Sequence, residues 1–131
     1  MSSNAANSPL DHIEYLKQPF GQLAWLINVH ATNQPDRIAL DDGEEQLTWA
    51  ETAAFVNRIA AQLQTEGLQI GQAVSILGTT TIRYALVYLG AIVAGGCAAP
   101  LTTSATPQQL AAMMTDSGAG HLFIDHIKRS E

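Results

Sequence analysis

The sequence predicts an α/β fold: three layers, with a mostly parallel sheet carrying helices on both faces. Three observations lead there. From Thr48 onward, helical and extended patterns alternate with short connections, and such alternation implies right-handed crossovers and parallel strands. Two threonines, Thr48 and Thr106, each open a capping box that marks a helix start. Between them, nothing polar interrupts Tyr84 to Leu101 apart from the tyrosines themselves. A segment that apolar must be covered on nearly all sides.

The elements follow in order. Residues 1–20 (Ser, Asn and two prolines without sustained periodicity) read as a mobile lead-in. A helix is expected over Gln22–Asn33, with Leu23, Leu26, Ile27 and His30 on one face and Pro35 stopping it. RIALDD and EEQLTW read as two short strands around Asp42-Gly43, a common hairpin signal. Thr48 and Glu51 then form a T-x-x-E capping box. Trp49, Ala53, Val56, Ala60 and Leu63 recur at steps of four and three as an apolar stripe, widened by Phe55 and Ile59. Gly67 is the natural stop.

AVSIL has the composition of a buried parallel strand. Gly78 and three threonines follow, so Thr79 or Thr80 is expected to cap a helix ending at Gly95-Gly96. CAAPL is a short strand. Thr106-Pro107-Gln108-Gln109 opens the last helix, with Leu110, Ala111, Met113 and Met114 as its buried side and Gly118 as its end. HLFID is a final strand. The expected organisation is a lead-in over 1–20, an α/β subdomain over 21–125, and a truncated tail over 126–131.

Composition excludes several function classes. The chain has 131 residues and a net charge of −6, with six Lys and Arg in all. A phosphate backbone demands basic side chains, so nucleic acid is not an expected partner. Asp36, Asp41, Asp42, Glu44 and Glu45 cluster within ten residues and read as a solvated loop and strand rim. Charged residues make up only 14%, against about 25% in an average protein; tightly packed elements, or surface covered by something else, would account for that. The apolar run falls short of the ~20 residues a span needs, and Gly90, Gly95, Gly96 and Pro100 break it. No membrane span is expected. The polar start lacks the basic and apolar regions of a signal peptide, so the expected setting is reducing and cytoplasmic. The single cysteine, Cys97, sits inside the apolar run and is expected to be a buried, inert thiol.

Residues able to carry chemistry are few. The VSILGTTT turn resembles a strand-to-helix anion site, but neither G-x-G-x-x-G nor Gly-Lys-Ser/Thr is present. An unrelated nucleotide-binding domain would require ATP to bind at Gly78; a tight turn is the simpler reading. His12, His30, His121 and His126 have no ligand-like spacing, and Asp116-Ser117 has no histidine at a motif-like position. Asp125 beside His126 reads as a surface pair. The residues themselves give no catalytic, cofactor-binding or metal site.

Taken together, the segments are similar to the start of the AMP-forming adenylating superfamily, which holds acyl- and aryl-CoA synthetases, luciferases and peptide-synthetase adenylation domains. QPDRIAL resembles its opening Pro-Asp segment, and LTWAET its Leu-Thr-Tyr-x-Glu-Leu helix start. GLQIGQAVSIL resembles its Gly-Leu…Gly-Asp-x-Val-x-Ile segment, with Gln72 in place of Asp. LGAIVAGGCAAPL resembles its Leu-Gly-x-x-x-Ala-Gly-Ala…Pro-Leu signature, and TPQQL…MMTDSGAGHLFI a later segment. The resemblance spans about residues 22–125. It implies an N-terminal fragment of an ATP-dependent acid–CoA ligase acting on an aryl or fatty acid, with ATP, Mg²⁺ and CoA as cofactors of the full-length enzyme. Peptide synthetases usually follow Pro-Leu with Asp, whereas Leu101-Thr102-Thr103 stands here. The phosphate loop, the adenine and ribose segments and the C-terminal domain of the family have no counterpart in these residues. No site residue therefore transfers, and the chain alone is expected to bind none of these cofactors and to be inactive. Its expected partner is the remainder of the ligase, or itself through exposed apolar surface. The alternatives are a peptide-synthetase adenylation fragment and a standalone, non-catalytic α/β interaction module.

Overall fold

The computed structural model describes residues 23–125; the expected lead-in over 1–20 and the tail over 126–131 lie outside them. Nine elements appear in the expected order: α1 (Leu23–Asn33), β1 (Ile38–Asp41), β2 (Gln46–Thr48), α2 (Trp49–Thr65), β3 (Ala73–Leu77), α3 (Ile82–Val93), β4 (Cys97–Pro100), α4 (Pro107–Ser117) and β5 (His121–Ile124). The chain divides into two compact units, Met1–Ala54 and Phe55–Glu131, with the boundary inside α2.

In the first unit, α1 buries Ile27, Val29 and His30. Val29 lies outside the expected stripe, so more of the helix surface is covered than the periodicity indicates. Gln34 Nε2 donates to His30 Nδ1 at 2.7 Å, and the His30 ring packs 4.6 Å from that of Trp49. The hairpin pairs Asp41 with Gln46, so Asp42-Gly43-Glu44-Glu45 is a four-residue loop and the strands are shorter than expected. Asp42 Oδ1 accepts from the Glu44 and Glu45 N–H groups at 3.0 and 2.8 Å. Asp41 Oδ1 accepts from Gly43 N–H at 2.8 Å, and its Oδ2 accepts from Gln46 Nε2 at 2.9 Å. These two bonds, the backbone one foremost, hold the Asp41 carboxyl below its ordinary pKa. The acidic cluster is thus an exposed loop organised by its own carboxylates.

The capping box of α2 is complete: Glu51 N–H donates to Thr48 Oγ1 at 3.2 Å and Thr48 N–H to Glu51 Oε1 at 3.0 Å. Ala53, Val56, Ala60 and Leu63 are buried as expected. Phe55 is not; it stays exposed beneath the Arg58 guanidinium, 5.6 Å from its ring centre. Gly67 ends the helix at φ 93°.

The second unit is built on a parallel sheet in the order β4-β3-β5. Central β3 is buried along its whole length, which explains its continuous apolar sequence. Val74 pairs with Ala98 and His121, and Ile76 with Pro100 and Phe123, so these side chains share one face. There Val74 meets Ala60 and Leu63 of α2 and Ala91 of α3 in the core. The helices approach closely: a Cβ on Gly90 would stand 2.5 Å from Ile59 Cγ2. Because β4 and β5 flank β3 on opposite sides, the two crossovers run in opposite directions. The same right-handedness then puts α4 on the face opposite α3, which makes the unit three-layered.

Two expectations fail on that second face. Helix α4 has the expected capping box and proline at its first turn, but no buried residue; Leu110 and Met114 are half-covered and Met113 is exposed. Cys97 is exposed rather than buried. Its strand is an edge, and its side chain shares the face of Ser75 rather than that of the α3 core. Tyr88 and Ile92 of α3 are also exposed, so the apolar run is only partly enclosed. Among the described residues, no helix is long and apolar enough to cross a membrane.

Candidate functional site

In open parallel sheets, ligands bind beyond the C-terminal ends of the strands, where neighbouring crossovers diverge. Here that place lies past Leu77 and Ile124, and the turn Gly78–Thr81 occupies it. Asp125 N–H donates to Leu77 O at 2.9 Å, which continues the ladder one residue beyond β5. Gly78 is needed because a Cβ there would come within 3.0 Å of Asp125 Cβ.

The cap of α3 is Thr81, not Thr79 or Thr80. Its backbone is extended (φ −136°, ψ 177°) and its Oγ1 accepts from Tyr84 N–H at 3.3 Å. The four-residue turn must cross from strand end to helix start, so the last threonine alone has cap geometry. The same hydroxyl donates to Asp125 Oδ2 at 3.3 Å. Asp125 is therefore not a simple surface residue: it is partly buried and joins β5 to the start of α3. Its contact spans 44 positions, and no local pattern signals it.

Beside this junction lies a crevice of about 170 Å³ lined by Ile76, Arg83, Tyr84, Val87, Phe123, Ile124 and Asp125. Its floor is apolar, and its polar groups are one guanidinium, one phenol and one carboxylate. The turn does not suit a nucleotide phosphate. A carboxylate stands at the helix start, the space above Gly78 is filled by Asp125, and no lysine lies in the turn. Among the described residues, none that lines the crevice is a serine, cysteine or histidine, so they assemble no nucleophile–base pair there.

Of the described histidines, His30 is engaged by Gln34. His121 Nε2 lies 3.5 Å from Glu66 Oε2. Among the described residues, no three His, Cys, Asp or Glu side chains converge as a metal site would require. Asp116 and Ser117 sit at the end of α4, where the Ser117 hydroxyl donates to Met114 O at 3.1 Å.

A family model described as "AMP-binding enzyme" matches residues 27–131. Gramicidin S synthase 2 of Brevibacillus brevis is 33% identical over 89 residues, 68% of this chain and 2% of that protein. The N-terminal domain of FACL13 from Mycobacterium tuberculosis superposes with a TM-score of 0.73 at 23% identity, covering 80% of this chain and 27% of that one. The O-succinylbenzoate coenzyme A synthetase MenE of Bacillus subtilis, solved in complex with AMP, superposes at 0.69 and 27% identity, over 76% and 26%. The chain thus spans a small part of the proteins it matches.

Proposed function

Because the chain belongs to the AMP-binding enzyme family, we propose that it is the opening portion of an AMP-forming acid–thiol ligase and supplies scaffold rather than reacting groups. The observation that carries this reading is the fit of 80% of the chain to only 27% of a larger N-terminal domain. It is supported by a strand-end crevice in which the described residues form no nucleophile–base pair. In the whole enzyme, a carboxylate oxygen attacks the α-phosphorus of ATP and pyrophosphate leaves. A thiol then attacks the acyl carbon of the adenylate and AMP leaves. Magnesium and the nucleotide would be held by residues other than the Gly78–Thr81 turn.

For the acceptor we favour CoA in a cytoplasmic setting, with an aryl or fatty acid as substrate, on the strength of Leu101-Thr102-Thr103 after Pro100. A carrier-protein thiol is the second reading, and the 33% identity to gramicidin S synthase 2 favours it. The test is ATP–pyrophosphate exchange with a panel of carboxylic acids. The 131-residue chain should give none; turnover by it alone refutes the scaffold reading. In the ligase that contains this chain, adenylation should appear, and transfer to CoA or to a phosphopantetheinyl carrier then separates the two acceptors. A standalone interaction module instead requires a monodisperse chain that does not bind apolar dyes.

A further inference from the structure

We draw no further inference here: the strongest candidate, the strand-end crevice lined by Arg83, Tyr84, Phe123 and Asp125, belongs to the site already described, and nothing in the structure shows what covers it.

Discussion

Replacing Gly90 by alanine should destabilise the chain, although alanine is the better helix former. The added Cβ would lie 2.5 Å from Ile59 Cγ2 and 2.9 Å from Ile59 Cβ. Carbon atoms rest about 3.5–4.0 Å apart, so the shortfall is about 1 Å against Cγ2. Ile59 is β-branched and stiff about χ1, so α2 and α3 must part, loosening Ala60, Leu63 and Ala91 in the core. Overpacking of this kind costs about 1–3 kcal/mol, and the helix propensity of alanine returns up to about 1 kcal/mol. A net loss of about 1 kcal/mol should lower the melting temperature of a chain this size by about 3–5 °C. Urea unfolding of Gly90→Ala, Ile59→Ala and the double variant measures it. The double variant should recover about 1 kcal/mol relative to the sum of the singles, with relief incomplete because the Ile59 Cβ remains. If Gly90→Ala is as stable as the parent, or the singles add, the close helix contact is not what selects glycine.

Thr81→Ala removes both the cap of α3 and the hydroxyl donor to Asp125, and urea unfolding should show a loss of about 1 kcal/mol; Thr80→Ala, at an exposed position of the same turn, should lie within about 0.5 kcal/mol of the parent. Asp41 has a lowered pKa in the folded state. Its contribution is present above its unfolded value and fades as pH falls through the lower folded value. Asp41→Asn should therefore flatten the acid limb of a stability–pH profile and leave its alkaline side unchanged; an unaltered acid limb contradicts the hairpin geometry. Cys97 should react with a thiol reagent in the native chain nearly as fast as in the unfolded one, and protection of the kind a buried thiol enjoys would contradict its placement on an open face.

Local chemistry made much of the fold readable. The capping boxes at Thr48 and Thr106, the stops at Gly67 and Gly118, and the all-apolar β3 lie where short-range rules put them. Each depends on atoms within a few residues of one another. The strand-end crevice was not readable, because Asp125 reaches Thr81 and Gly78 across more than forty positions. Nor was the identity of the cap in Gly78-Thr79-Thr80-Thr81, where three threonines are chemically alike and only the path of the turn selects one.

By itself, then, the sequence determined element order, helix ends and the α/β class, through capping geometry and hydrophobic period. It also carried the family likeness, through motifs in a shared order. Only the tertiary structure decided which apolar residues are covered. Met113, Cys97, Leu122 and Ile124 belong to apolar stretches yet remain accessible, because burial depends on what packs against a face and not on the residues that compose it. The tertiary structure also separated the two sheet edges. Pro100 is only a proline until hydrogen-bond register shows it pointing outward, and Leu122 and Ile124 are only apolar until the same register turns their backbone groups to the side of β5 where no strand stands among the described residues.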